Sequence, residues 1–179
     1  MLSFLKVIFC FSLLCFSSFL EAPVLAFDFF GSEFFVFNYS VQFILVFALS
    51  ILFRNNYAFF AIILYLIAGL AGLEVFSFGS GVSYTLSPHF GYLLAMLLLS
   101  ALAFQLKYYF DSSVENGEEV VVNKFLLPLI PFFAAHIFGL FYMIVLGNFN
   151  LENLFALGLY QIFYDLIFGA LAFFMMPRV

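Results

Sequence analysis

Long apolar stretches, broken by short polar joints, run through this chain from end to end. Six runs stand out, at 7–20, 34–53, 57–73, 90–106, 125–147 and 154–176. A helix that crosses a bilayer needs about 17–25 such residues. Five runs reach that length directly. The first reaches it when Leu2 to Leu5 are counted in and Lys6 snorkels to the interface. The pattern predicts an all-α membrane protein, a single polytopic domain over 1–179 with about six transmembrane helices. Their spans fall near 4–20, 34–53, 57–73, 90–106, 125–147 and 154–176. The first run has a second reading, as a secretory signal peptide, because one Lys, a short apolar core and Val24-Leu25-Ala26 fit that pattern too.

Composition excludes most other classes. The chain is 67% hydrophobic and 8% charged, against about 45–50% and about 25% in an ordinary soluble domain. Thirty-two Phe residues in 179 would leave a water-soluble fold with more apolar surface than its core could hide. The lipid bilayer is therefore the solvent. Five basic residues cannot neutralise a useful run of phosphates, so nucleic acid is excluded as a partner. Cys10 and Cys15 diverge by about 140° on a helix and serve as small apolar fillers.

Charge placement adds a topology. Threading six spans puts Lys6, Arg54, Lys107, Lys124 and Arg178 on one side, the cytoplasmic one by the positive-inside rule. The expectation is a multi-pass protein of the bacterial inner (plasma) membrane with both termini cytoplasmic. The outer side carries Glu21, Asp28, Glu33, Glu74 and Glu152 and no Lys or Arg. The polar loop at 107–124 reads as a solvated connector.

No P-loop, HExxH, GxSxG or Cys/His cluster occurs, so no enzyme activity, resident cofactor or metal site is expected and the chain cannot hydrolyse ATP alone. Polar groups inside the spans are the informative ones, because lipid makes them costly. Asp165 shares a helix face with Gln161 and Gly169. It reads as a ligand-binding or proton-carrying carboxylate facing a cavity, or as an acid bonded to a neighbouring helix. Asn38 and Gln42, at i and i+4, offer amides on one face, for a ligand or for helix association. His136 reads as a buried neutral imidazole satisfied by a carbonyl. The segment 76–92, FSFGSGVSYTLSPHFGY, is rich in Gly and Ser yet flanked by aromatics. Such backbone is tolerated near a membrane where it lines a cavity. It supplies Gly79, Ser80, His89, Gly91 and Tyr92 as candidate binding residues. Ser87-Pro88 fits an N-cap with Pro at N1, which would aim the amides of His89, Phe90 and Gly91 outward as a spot for an anion or carbonyl.

The run 61–95 resembles the biotin-transporter family BioY through Tyr65, Gly69, Gly72, Val75, Phe76, Pro88, Gly91 and Tyr92. Tyr39-Ser40-Val41-Gln42 resembles that family's Thr-Leu-Gln segment, and Tyr164 to Phe168 its Gly-Asp-Leu-Ile-Lys motif. The likeness covers about 36–176. It implies a substrate-binding component of an energy-coupling-factor transporter, with six helices and a vitamin site open to the outer face. The implied partners are biotin or a related small molecule, a membrane coupling protein and two ATP-binding subunits. Gln42, Gly79, Ser80, His89, Gly91, Tyr92, Gln161 and Asp165 are the expected substrate-binding residues. Two departures bear on the ligand. His89-Phe90 interrupts the glycine motif, and Phe168 stands where the family has a base, which leaves a ligand carboxylate without an ionic partner. The same fold binding another small neutral or cationic nutrient, a proton-coupled carrier using Asp165 and His136, and a structural membrane subunit are the alternatives.

Overall fold

The computed structural model of the chain describes residues 2–28, 33–53, 55–115, 129–147 and 158–175. Six α-helices and one hairpin lie among them. In chain order they are α1 (Leu2–Ser17), β1 (Glu21–Asp28), β2 (Glu33–Ser40), α2 (Gln42–Leu52), α3 (Tyr57–Leu70), a 3-10 turn (Val82–Leu86), α4 (Pro88–Glu115), α5 (Leu129–Val145) and α6 (Tyr160–Met175).

The expected helix at 34–53 is corrected. Its first part is β2, paired antiparallel with β1 from Glu21↔Ser40 to Asp28↔Glu33. A short apolar run cannot be told from a helix by periodicity alone. Here Phe34, Phe35, Val36, Phe37 and Tyr39 are aromatic or β-branched, types that favour a pleated surface, and 21–28 supplies a partner strand. The class is therefore six helices plus a hairpin. Asn38 lies in β2 opposite Pro23, so it does not share a helical face with Gln42. The expected connector at 107–124 is corrected in its first part, because α4 runs on to Glu115; residues 116–124 and the expected span ends at 125–128, 154–157 and 176 fall outside the described residues.

Among the described residues, only Pro88–Ser113 is a helix long and apolar enough by itself to cross a membrane. The other helices run from 11 residues in α2 to 17 in α5, about 16–26 Å. Their faces nonetheless suit lipid. On α5, Phe132, Ala135, Gly139 and Met143 point inward while Ile130, Phe133, Ile137, Phe141 and Ile144 are exposed. The exposed face of α3 carries Phe60, Leu64 and Ile67. A helix that is apolar on both faces has an apolar solvent.

The core is built from α1 to α5, with Leu14, Val46, Phe47, Ile62, Leu99 and Phe132 fully buried. Phe47 and Phe132 join α2 to α5 with ring centroids 4.8 Å apart. Ser50 Oγ and Ser100 Oγ, 2.8 Å apart, tie α2 to α4. Glycines let the helices approach. A Cβ at Gly91 would lie 2.6 Å from Tyr142 Cβ, and one at Gly139 would lie 2.7 Å from the Tyr92 ring.

The connection from α3 to α4 folds back onto the bundle. Gly81 N–H donates to Gly69 O at 2.7 Å. The Phe76 ring sits over Gly69, where a Cβ would fall 2.0 Å from Phe76 Cζ. Ser18 Oγ and Tyr65 OH both donate to Val75 O, at 2.8 and 3.1 Å, and Ser77 Oγ donates to Ser18 O. Tyr142 OH donates to Thr85 O at 2.6 Å. The loop is thus fastened to α1, α3 and α5 by bonds to its backbone at Val75, Gly81 and Thr85.

Candidate functional site

A cavity of about 360 Å³ opens where the C-terminal end of α1, the N-terminal ends of α2, α4 and α6, and the folded-back loop converge. Buried Gln42 and Phe43 from α2 and Tyr92, Leu93 and Met96 from α4 form its closed part. Exposed Glu21, Ser77 and Phe78 stand at the mouth. Ser18, Ser40, Tyr84, His89 and Gln161 complete the lining.

The wall is held by local bonds. Gln42 Nε2 donates to Tyr65 OH at 3.1 Å, which leaves the carbonyl end of its amide for another donor. Gln161 Nε2 donates to Ser40 O at 2.9 Å, linking α6 to the base of the hairpin. The Tyr84 ring packs against that of Phe76, tilted by 36° with centroids 4.9 Å apart, and burial pushes its phenol up to about 12, so it stays a neutral hydroxyl. The His89 ring lies 4.6 Å from that of Phe78. Tyr92 is the unusual member. Its hydroxyl is buried and has no hydrogen-bond partner within the described structure.

Four of the eight expected residues line the cavity: Gln42, His89, Tyr92 and Gln161. The other four do not, for distinct reasons. Gly79, at φ 139°, shapes the turn between Phe78 and Tyr84, and Ser80 is half-buried in the same turn. Gly91 lies under Tyr142 and serves the contact between α4 and α5. Asp165 is fully buried beside the cavity rather than facing it. Tyr39 OH donates to its Oδ1, and His136 Nε2 lies 2.8 Å from its Oδ2. A carboxylate in an apolar bundle takes whatever polar partners the neighbouring elements bring. The expected carbonyl partner of His136 is corrected by the same contact.

The expected row of free amides at the start of α4 is also corrected. Ser87 does cap the helix, but its Oγ accepts from His89 N at 3.3 Å and its carbonyl accepts from Phe90 N at 3.1 Å. Those donors are already used. Phe168, in place of the family's base, is absent from the lining and packs on Tyr39 and Tyr164 with centroids 5.6 and 6.2 Å away.

Sequence reasoning missed Ser18, Glu21, Ser40, Phe43, Ser77, Phe78, Tyr84, Leu93 and Met96. The composition of 76–92 pointed to a cavity wall, and three of these lie in it. Ser18 lies near the end of the first apolar run and Glu21 just after it, where nothing local marks them.

The BioY family model matches residues 3–179. Among solved structures the chain is similar to one described as the crystal structure at 2.1 Å of the S-component for biotin from an ECF-type ABC transporter. The identity is 18%, the alignment covers 97% of this chain and 87% of that one, and the TM-score is 0.66. At that identity the likeness shows the fold. No curated protein matches the chain significantly.

Proposed function

Because the chain belongs to the BioY family, we propose that it is the substrate-binding membrane component of a vitamin-uptake transporter, with biotin or a close relative carrying the same cyclic urea as its ligand. The observation that carries this reading is the cavity. Its roughly 360 Å³ falls within the about 300–1,000 Å³ of small-molecule sites. Its walls join apolar side chains to a few polar groups that a ureido ring can use. The carbonyl of Gln42 accepts from a ureido N–H, the unpartnered hydroxyl of Tyr92 donates to the ureido oxygen, and Phe43, Leu93 and Met96 cover the ring system.

Orientation and partners belong to the same proposal. The cavity faces outward, in the bacterial plasma membrane, with both termini inside. Lys6 lies at the other end of α1, 5.5 Å over the Tyr57 ring. Lys107, paired with Asp111 at 2.7 Å, lies about 27 Å along α4 from His89. Bases at the end away from the cavity agree with the positive-inside rule. A membrane coupling protein and two ATP-binding subunits supply the energy, since this chain has no phosphate-binding loop.

The test is direct. Purified protein should bind biotin reversibly, and cells should accumulate labelled biotin only when the coupling subunits are co-expressed. A proton-coupled carrier has one observation of its own, the His136–Asp165 contact. Such a carrier would work without the ATPases and follow an imposed pH gradient.

A further inference from the structure

The lining of the cavity contains one charged side chain, Glu21, and no Lys or Arg. Glu21 opens β1 and pairs in register with Ser40, itself in the lining. It is exposed and stands at the mouth, while the buried lining is uncharged. Among the described residues, no Lys or Arg joins it in the lining. Glu74 is also exposed, Asp28 and Glu33 pair at the far end of the hairpin, and the described bases, Lys6 and Lys107, sit at the far end of their helices and are occupied there. A ligand whose polar head enters the closed part must leave its tail beside Glu21. A carboxylate tail would meet a like charge, an amide would meet a hydrogen-bond acceptor, and an ammonium would meet a counter-ion.

We infer that Glu21 is a specificity-determining residue, which tunes the cavity toward ligands whose solvent-facing end is uncharged or cationic and against free carboxylates. The inference rests on the reading of the cavity as a cyclic-urea site and adds to it a preference for amide- or amine-ended forms. Because Glu21 is wet, the effect is modest, about three- to fivefold between acid and amide, and it shrinks as salt is added.

The experiment measures affinity of the purified full-length protein for biotin, biotin amide and an amine-ended biotin derivative, at low and high salt. The unmodified protein should hold the amide about three- to fivefold tighter than the acid and the amine at least as tightly as the amide. Glu21→Gln should bring the three together, and Glu21→Lys should favour the acid. Equal or tighter binding of the acid by the unmodified protein would overturn the inference, as would a preference that survives Glu21→Gln, while leaving the cyclic-urea reading intact. Failure of a folded protein to bind any of the three would instead overturn that reading and the inference with it.

Discussion

Tyr92 carries a hydroxyl that is buried beside the cavity without a partner among the described residues, and a buried unmade hydrogen bond costs about 1–3 kcal/mol. A ligand that accepts from it recovers part of that cost. Tyr92→Phe should therefore leave the unliganded fold as stable or slightly more so, and weaken biotin binding by about 0.5–1.5 kcal/mol. Thermal unfolding and equilibrium binding of the same preparation separate the two effects. Asp165 should behave the other way round. Its two oxygens serve Tyr39 and His136, joining β2, α5 and α6, so Asp165→Asn should lower the stability of the unliganded protein by about 1–3 kcal/mol. His136→Phe in the same background should cost less than it does alone, because the shared contact is already lost. Full additivity in a double-mutant cycle would remove the pairing from the account.

The loop from α3 to α4 is the element that makes the cavity. It is irregular because Gly72, Gly79 and Gly81 take positive φ, and it is fixed because Phe76 seats over Gly69. Gly69→Ala would place a methyl where the Phe76 ring now lies, and overpacking of this kind costs about 1–3 kcal/mol. The expected outcome is a displaced loop, lower thermal stability and loss of ligand affinity, although Gly69 is not itself in the lining. Recovery in Gly69→Ala/Phe76→Leu, measured by binding, would attribute the loss to that one contact. The hairpin acts at the same scale. By turning 33–40 into strand, it brings Glu21 and Ser40 side by side at the mouth.

For the whole molecule, polarity is the testable property. Reporter fusions after residue 55, at residue 115 and at the C-terminus should all report cytoplasm, and an outer signal from any of them would break the six-span threading. A cysteine introduced at Ser77 should react with a membrane-impermeant thiol reagent added outside intact cells, and saturating biotin should slow that reaction.

How much of this was legible in the sequence follows from the range of each interaction. Apolar runs and the absence of nucleotide motifs are properties of neighbouring residues or of composition, so the membrane class and most of the helices can be read along the chain. The odd composition of 76–92 likewise points to a cavity wall, and the polar types of Gln42, His89, Tyr92 and Gln161, which line the cavity, are visible in the sequence. Three outcomes needed tertiary structure. Segment 33–40 is a strand because 21–28 pairs with it, a choice that no local pattern of aromatics makes. Asp165 is spent on Tyr39 and His136, which are 126 and 29 residues away in sequence. Glu21 reaches the mouth because the hairpin places it opposite Ser40. A polar side chain in an apolar bundle must find a partner, but which partner depends on the contacts that packing brings together, and those are distant in the chain.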